Sequence, residues 1–442
     1  MAPKSEDILP KSTLGIKPPR RRFDNKQNYA ADVWLEDKQE TDGAEGLWRI
    51  HDDLYDLADF INKHPGGRDW LELTKGTDIT EAFEVHHVTS GPEELLKSFF
   101  VRKAKTKRNA PFTFKEDGFY KTLKREVVKV VKTLPTQSKK TSNFFIDSLL
   151  VLMFTFSVMA AAYWNYILGV ISGNLLAMLT IAAHNYFHRR DNIRMYYFQF
   201  SLMQVREWRV SHVLSHHLHT NTIDDLEITA WEPIFQYLPI KKTTRERVMV
   251  YLYFPFMWLT GFHMNFIKKV LPLLKGDYKG YRITDLTPFI LPFIMYLLSG
   301  QSFLGTLWMW NFIVMIASLH FFFVGLNAAH HHPDVFHDGD VPRTTEDYDW
   351  GLSQLDAIMD RKEISGSHFL VLTNFGDHAL HHMFPTLDHG ILEHLYPTLY
   401  KVMETFNVNL RMVSQLDTIV GQFQQLSKIE PNKQPPDLFK KY

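Results

Sequence analysis

FFIDSLLVLMFTFSVMAAAYWNYILGVISGNLLAMLTIAAHNYF, residues 144–187, is the stretch that decides the fold. It holds one acidic residue and no basic residue. Because a transmembrane helix needs about 20 apolar residues, this length fits a hairpin of two helices that breaks near Trp164 to Gly173. A large soluble core of helices is the weaker alternative, since such helices are amphipathic and this run is continuously apolar. We therefore predict a membrane domain.

Two more apolar segments in the C-terminal half predict a second hairpin. They are LTPFILPFIMYLLSG (286–300) and FLGTLWMWNFIVMIASLHFFFVGLNAA (303–329), with Ser299 to Ser302 as the turn. A further apolar segment, VMVYLYFPFMWLTGF (248–262), is short for a span and is interrupted by Pro255, so we interpret it as interfacial or re-entrant. The expectation is about four transmembrane helices.

Basic residues at the ends of the first hairpin predict its orientation. Lys139 and Lys140 precede the hairpin, and Arg189 and Arg190 follow it. Basic residues concentrate on the cytosolic side of membrane proteins. Both ends of the hairpin, and the N-terminal part of the chain, are therefore expected in the cytosol.

The composition excludes several classes of function. The chain has no cysteine, which rules out disulfides, thiolate metal sites and cysteine nucleophiles. Lys+Arg and Asp+Glu are 49 each, so the charge gives no sign of a nucleic-acid partner. Histidine is abundant at 22 residues, and eighteen of them lie from His184 onward. Imidazole is the main nitrogen ligand for iron, copper and zinc, so the spacing of these histidines decides their role.

Four clusters of histidine contain spacings of three or four residues, which place side chains on one face of a helix. They are His184 with His188; His212, His216 and His217; His378, His381 and His382; and His331 with Asn327. In the second cluster we expect His212 and His216 to share a face and His217 to point aside. Nine imidazoles exceed the roughly six positions of one octahedral metal, so the clusters predict two metal ions, and imidazole suits iron. Asn327 would add an oxygen or hold a water.

Three of these clusters resemble the histidine boxes of the membrane fatty-acid desaturase family. HNYFH, HVLSHH and HALHH stand in the same order and at similar separations, and HALHHMFP (378–385) is similar to the third box of the front-end type, which ends in HHxFP. The resemblance covers about residues 142–410 and implies a di-iron centre whose box histidines are catalytic. The pair of Asn327 and His331 resembles an additional ligand pair before the third box, with His330 and His332 as alternatives to His331.

Two departures from the family pattern leave the reaction open. Front-end members usually begin the third box with Gln, where this chain has His378. Three residues, and not the commoner two, separate His212 from His216, and this longer gap also occurs in the related hydroxylases. The end of the third box favours desaturation, and the second box is a mild signal for hydroxylation.

Other polar residues near the clusters have two interpretations. Asp224, Asp225 and Glu227 follow the second box, where they would orient ligand imidazoles or form an ordinary acidic loop. His320 lies within a predicted span, and an ionisable group there is expected to support the metal ligands.

LWRIHDDLYDLADFINKHPGGRDWLELTKGTDITEAFEVHH (47–87) resembles cytochrome b5. The HPGG motif that begins at His64 carries the resemblance, since in the family this histidine is an axial ligand of haem b and the glycines permit a tight turn. The second axial ligand follows a phenylalanine by four residues, which points to His87 after Phe83, with His86 as the alternative. Two axial imidazoles leave no open position, so such a haem transfers electrons and does not activate O₂.

The resemblances imply an α+β haem domain of the cytochrome b5 type, followed by an all-α membrane-spanning desaturase domain with a cytosolic histidine-rich cap. The layout most resembles the insect cytochrome b5-related proteins. The implied boundaries are a flexible basic tail (1–25), the haem domain (26–106), a linker with a pre-membrane helix (107–141), the desaturase domain (142–415) and a C-terminal tail (416–442).

The implied activity is O₂-dependent desaturation of a fatty-acyl or sphingoid chain at two iron ions, with electrons delivered by the fused haem. NADH–cytochrome b5 reductase is the implied electron donor, because no GxGxxG nucleotide motif follows a strand in this chain. The implied location is the endoplasmic reticulum membrane. A lipid hydroxylase with the same machinery and a catalytically silent electron carrier are the alternatives.

Overall fold

The computed structural model describes residues 11–17, 31–135, 137–229, 231–232, 234–275 and 282–436. Much of the predicted N-terminal tail, 1–10 and 18–25, lies outside these residues, and so does the end of the predicted C-terminal tail, 437–442. The described residues form a small α+β domain followed by a larger, mainly helical part.

The N-terminal domain is built on an antiparallel sheet of order β1-β2-β3 (Trp48–Ile50, Asp53–Tyr55 and Phe100–Lys103). Its helices are α1 (Ala31–Thr41), α2 (Arg68–Leu73), α3 (Thr80–His86) and α4 (Gly91–Leu96). Trp48 and Leu71 lie in its apolar core. Gly67 has a φ of 117°, which residues with a Cβ rarely adopt, and this lets the chain turn from His64 into α2.

The larger part consists of helices connected by loops and short strands. Its strands form two parallel pairs, β4 (Phe112–Thr113) with β5 (Tyr348–Asp349), and β6 (Met359–Arg361) with β7 (Arg411–Val413). Its α-helices, in chain order, are α5 (Phe119–Thr133), α6 (Gln137–Ala162), α7 (Tyr166–Phe187), α8 (Val205–Trp208), α9 (Leu226–Thr229), α10 (Thr244–Lys275), α11 (Ile290–Ser299), α12 (Phe303–Gly325), α13 (Trp350–Ala357), α14 (His368–Thr373), α15 (His378–Met383), α16 (His389–Leu392), α17 (Tyr396–Thr405) and α18 (Gln415–Ser427).

Three helices among the described residues are long and apolar enough to cross a membrane, namely α6, α7 and α12. The prediction of about four transmembrane helices is therefore met only in part. The remaining predicted span, 286–300, is a 3₁₀ segment (Ile283–Phe289) that leads into the ten-residue helix α11. Pro288 and Pro292 lack the amide hydrogen that a longer regular helix needs, which accounts for the shortened element. Its turn into α12 lies at 300–302, within the predicted turn.

The first hairpin turns at 163–165, at the start of the predicted range. The Asn165 side chain caps α7 by accepting hydrogen bonds from two backbone amides of its first turn, which starts the helix early. Gly173, the other end of the predicted range, lies inside α7. A Cβ at Gly173 would lie 2.6 Å from Ile316 of α12, so the absent side chain allows these two helices to pack closely.

The apolar segment 248–262 belongs to the 32-residue helix α10. It does not re-enter, because the helix runs through Pro255 without a break. The amide of Phe262 donates to the Ser318 hydroxyl of α12, and Trp258 packs against Phe323. The opposite face is exposed, as at Leu252, which suits an interfacial position.

The segments predicted as linker and tails are partly packed. In α5, the Tyr120 hydroxyl lies 3.1 Å from the carbonyl oxygen of Met383 and 3.4 Å from that of Glu84, and it can donate its proton to either, so it connects the N-terminal domain to the helix of the third box. The amide of Thr13 donates to the Asp338 carboxylate, so residues 11–17 lie on the helical part. The segment from 416 onward begins with α18, and its Gln422 donates to the Tyr237 hydroxyl.

Candidate metal centre and haem site

The first histidine box lies at the end of α7. His184 is in the last turn of the helix, and His188 follows it as the C-cap. The Nδ1 atom of His184 lies 2.5 Å from the carbonyl oxygen of Ile181. Since a carbonyl only accepts, this nitrogen carries the proton and leaves Nε2 free as a ligand atom. The Nε2 atom of His184 lies 3.1 Å from that of His381 in the third box.

The second box lies on a π-helical segment, Arg209–His216, and not on a regular α-helix. The amide of His217 donates to the carbonyl of His212 at 2.9 Å, a bond between residues five apart. The Nε2 atoms of His212 and His217 are consequently 3.1 Å apart. The rings of His212 and His216 remain stacked with centroids 5.5 Å apart, as the sequence predicted, and the wider π turn adds the pairing of His212 with His217.

The third box is the short helix α15. The Asp360 carboxylate of β6 accepts hydrogen bonds from the amides of His378 and Ala379, which fixes the start of this helix. One turn then sends His381 toward the first box, whereas His378 and His382 face the other way.

The described histidines form two groups whose ligand nitrogens lie within 4.8 Å of one another. The first group is His184, His188, His212 and His381; the second is His216, His330, His378 and His382. All eight are buried. His217 lies between the groups, with ring centroids 4.8 Å from His381 and 3.8 Å from His382. The structure thus brings together all eight predicted box histidines.

The histidine after α12 is a difference from the sequence-based prediction. The Nε2 atom of His330 lies 2.7 Å from that of His378, whereas His331 stacks on Tyr237 with ring centroids 3.9 Å apart. Asn327 donates to the carbonyl of Phe323. In the part of the chain that the structure describes, neither group contains His331. The four-residue spacing of Asn327 and His331 assumed a continuing helix, but α12 ends at Gly325.

The donor set fits bound metal ions. Several buried ring nitrogens have no hydrogen-bond partner among the described residues. They are both nitrogens of His188, Nδ1 of His217, His378 and His381, and Nε2 of His382. Unpaired buried nitrogens are costly, and a bound metal ion would satisfy those that have no protein partner. Imidazole-only sites suit iron, copper or zinc.

Two acids behind the second box hold ligand imidazoles in place. Nδ1 of His216 lies 2.9 Å from the Asp225 carboxylate, and Nδ1 of His212 lies 2.7 Å from Glu227. Burial alone would raise the pKa of Glu227, but the nearby imidazoles lower this pKa to about 2, so the carboxylate is charged. Each acid accepts a hydrogen bond from Nδ1–H, which leaves Nε2 as the atom that would bind a metal. Asp224 instead pairs with Lys38 at 3.3 Å.

Three further residues, His320, Gln354 and His389, lie near the centre. His320 lies in α12 and its Nδ1 is 2.7 Å from Asn174 of α7, so it joins two membrane helices instead of supporting a ligand. Sequence reasoning missed Gln354, whose Oε1 lies 3.1 Å from Nδ1 of His382. It also missed His389, whose ring centroid is 4.5 Å from that of His381. Neither residue is separated from a box histidine by the three or four residues that the sequence analysis used.

The two predicted haem ligands lie close together in the N-terminal domain. The rings of His64 and His87 face each other with centroids 6.3 Å apart. Nδ1 of His64 lies 2.9 Å from the carbonyl of Gly67, and Nδ1 of His87 lies 2.9 Å from that of Phe83, so each Nε2 is left as a ligand atom. The gap accommodates two metal–nitrogen bonds of about 2 Å each. His86 does not face His64; its ring lies against Trp70.

Comparison with protein families matches both parts of the chain. Residues 34–105 match the cytochrome b5-like heme/steroid binding domain, and residues 156–414 match the fatty acid desaturase family. The chain belongs to the fatty acid desaturase family. It is an oxidoreductase of this family with a fused cytochrome b5-like domain, as the resemblances in the sequence predicted.

Individual relatives support the same assignment. The chain is 42% identical to a cytochrome b5-related protein of Drosophila melanogaster over 96% of this chain and 98% of the relative. It is 24% identical to acyl-lipid (8-3)-desaturase B of Dictyostelium discoideum over 87% of this chain and 91% of that protein. The acyl-lipid (8-3)-desaturase of Mortierella alpina is 21% identical over 79% of this chain and 85% of its own. The predicted likeness to the insect branch is confirmed.

The geometry of the haem site predicts different effects for adjacent histidines. We expect His64→Ala and His87→Ala to abolish the absorption spectrum of a six-coordinate haem, because each removes one of the two facing nitrogens. His86→Ala should retain this spectrum, since its ring faces elsewhere. Non-haem iron should be unchanged in all three variants. Loss of the spectrum in His86→Ala with retention in His87→Ala would reverse the assignment.

The acids behind the second box should tune metal affinity. Asp225→Asn and Glu227→Gln are expected to weaken iron binding about 10–100-fold, because ligand imidazoles lose the groups that orient them. Competition with a chelator, with iron counted per haem, measures the effect. Asp224→Asn is the matched control, since the Asp224 carboxylate pairs with Lys38 instead of a ligand imidazole. Equal iron loss in all three variants would refute the orienting role.

Proposed function

We propose that this chain is a membrane-bound, O₂-dependent lipid desaturase that introduces a double bond into a fatty-acyl or sphingoid chain. The observation that carries the proposal is the pair of buried four-histidine groups, bridged by His217, at the ends of membrane helices. We assign the ligands of two irons to nine histidines: His184, His188, His212, His216, His217, His330, His378, His381 and His382. His330 replaces the predicted His331 in this assignment, and Asn327 stays a predicted additional ligand, since its buried Oδ1 atom has no hydrogen-bond partner among the described residues.

Iron bound in these groups would supply the O₂ chemistry that breaks an unactivated C–H bond. The chain itself supplies position and exclusion of water. Phe375 lies with its ring centroid 4.7 Å from that of His184, and Trp208 lies 5.1 Å from His212. Phe321 of α12 packs on both of these aromatic rings. The first group thus has an apolar wall that continues into a membrane helix, which suits an acyl chain arriving from the lipid.

Electrons would reach the centre through the fused domain. His64 and His87 would hold haem b, and burial lowers the pKa of His87 to about 4, which keeps its imidazole neutral for a metal bond. Two axial imidazoles restrict the haem to electron transfer. NADH–cytochrome b5 reductase is the proposed donor to this haem, and the endoplasmic reticulum membrane is the proposed location.

Lipid hydroxylation is the second candidate reaction. The three-residue gap between His212 and His216 supports it, and the HHxFP ending of the third box supports desaturation. The two reactions share the first hydrogen abstraction, so the same histidine groups serve both. A silent electron carrier is disfavoured, because all eight box histidines are present and buried together.

The orientation proposed for the helices places the histidine groups and the haem domain in the cytosol. Because the chain has no cysteine, a single introduced cysteine reports its own side of the membrane. In sealed microsomes we expect a membrane-impermeant maleimide to label Lys105→Cys directly, and Gln301→Cys, in the turn before α12, only after detergent is added. Direct labelling of Gln301→Cys in sealed microsomes would contradict this topology.

The reaction itself is tested by expressing the chain in desaturase-deficient cells and profiling total lipids by mass spectrometry. We expect a new lipid lighter by two hydrogens, absent from a His381→Ala/His382→Ala control. The double variant removes one ligand from each group, so iron binding and activity should both be lost. A lipid heavier by one oxygen would instead establish hydroxylation. Full iron content in the wild-type protein with no new lipid in any background would refute a catalytic role.

A further inference from the structure

The N-terminal domain, which carries the two predicted haem ligands and is called the haem-type domain below, is docked on the histidine boxes at the turn that follows His64. The carbonyl of Gly66 accepts a hydrogen bond from the amide of Asp191 at 3.3 Å. A Cβ at Gly67 would lie 2.6 Å from the Asp191 carboxylate, so only a glycine permits this approach. Asp191 comes three residues after His188. The turn beside one predicted haem ligand therefore touches the end of the first box.

Arg209, which lies just before the second box, makes hydrogen bonds across this interface. It is fully buried and precedes His212 by three residues. Its guanidinium donates to Asp69 of the haem-type domain at 3.3 Å and to Asp191 at 2.5 Å. Its Nε atom donates to the carbonyl of Phe187, next to His188. Burial raises the pKa of Asp69, but Arg282 and Arg209 lower it below its usual value, so the carboxylate stays charged.

Two aromatic rings lie between the haem site and this interface. The ring of His86 lies 5.6 Å from that of Trp70, and the guanidinium of Arg209 lies 4.7 Å from the Trp70 ring. His86 is bonded to His87, the second predicted haem ligand. Its carbonyl accepts from the hydroxyl of Thr386, four residues after His382. Nε2 of His86 is buried and has no partner among the residues described.

These contacts form one continuous path. It begins at His87, passes through the rings of His86 and Trp70, and continues through Arg209 to the backbone beside His188. A packed path of rings and hydrogen bonds conducts an electron better than the same distance across a gap, because electronic coupling falls steeply with each gap. No long swing of a tethered domain is needed, since buried ion pairs of Arg209 with Asp69 and of Lys38 with Asp224 already join the two parts.

We propose that Trp70 and His86 form the electron route from the haem to the metal centre, with Arg209 as the residue that positions them. The proposal rests on the proposed function of the chain. Each transfer would oxidise a ferrous haem held by His64 and His87 to ferric haem, and would reduce a metal centre held by the histidine groups by one electron. Two transfers serve one turnover, and the external reductase reduces the haem again between them.

Rapid mixing of the full-length protein tests the route. The haem is first reduced with dithionite without O₂, then mixed with buffer containing O₂, and haem oxidation is followed by absorbance. We expect Trp70→Leu and His86→Leu to slow haem oxidation by about tenfold or more, since small losses of positioning have large effects on rate. Trp70→Phe keeps a ring and should stay within about threefold of the wild type.

Three controls separate the route from packing and from the proposed function. The haem spectrum and reduction potential should be unchanged in the slowed variants, which a damaged domain would not show. Trp34→Phe is the matched control, because Trp34 donates to the carbonyl of Asp224 at another point of the same interface. The variant His381→Ala/His382→Ala gives the background rate at which O₂ oxidises the haem directly. If Trp70→Leu does not retain haem, His86→Leu tests the same route from the other ring.

The outcomes are distinct. Slow oxidation in Trp70→Leu and His86→Leu, with Trp34→Phe at the wild-type rate, supports the route. Wild-type rates in Trp70→Leu and His86→Leu overturn the route and leave the proposed function standing. Slowing in Trp34→Phe equal to that in these two variants also overturns the route and leaves the proposed function standing. A wild-type rate no faster than that of the His381→Ala/His382→Ala variant would remove the proposed function, and the route with it.

Discussion

The structure depends on the burial of nine imidazoles in one small volume. Facing Nε2 atoms of His184 and His381, and of His330 and His378, lie 3.1 and 2.7 Å apart. A single proton can join each of these pairs, but other buried nitrogens of the nine rings have no partner among the described residues, and a bound metal ion would satisfy them. The end of α7, the π turn and the short helix α15 all serve to deliver one or more of these rings. The ligand rings of the centre therefore come from the ends of helices and from short helical turns.

Fixed charge lies against the centre, and the Glu227 carboxylate is within 4.8 Å of ligand nitrogens of His212 and His216. Asp225 and Glu227 hold the outer nitrogens of two ligands, and the low pKa of Glu227 keeps its charge. On the other side, Arg209 and Asp69 neutralise each other where the two parts of the chain meet. A buried ion pair adds little to stability, but it specifies one docking geometry, because either partner alone would be costly to bury. The haem-type domain is thus held in one orientation, and proximity does not depend on a flexible tether.

The membrane helices follow from composition, whereas their exact limits follow from local chemistry. The continuous apolar run of 144–187 was sufficient to predict the first hairpin. Its turn was placed only by the cap that Asn165 provides, and the second hairpin was shortened by Pro288 and Pro292. Hydropathy measures the length of an apolar run, but it does not register a single side-chain cap or a missing amide hydrogen. This is why three spans of full length were found among the described residues where about four were expected.

The sequence by itself determined the order of the two domains and the eight box histidines, and it predicted His64 and His87 as a facing pair. Short motifs with fixed spacing carry that information. Only the tertiary structure decided that His330 and not His331 joins the centre, and that His217 pairs with His212. Both differences arise where the backbone leaves the α-helix, since periodic spacing predicts neighbours only while the helix continues. The contacts of Trp70, Arg209 and Gln354 join residues far apart in the chain, and no local pattern encodes such contacts.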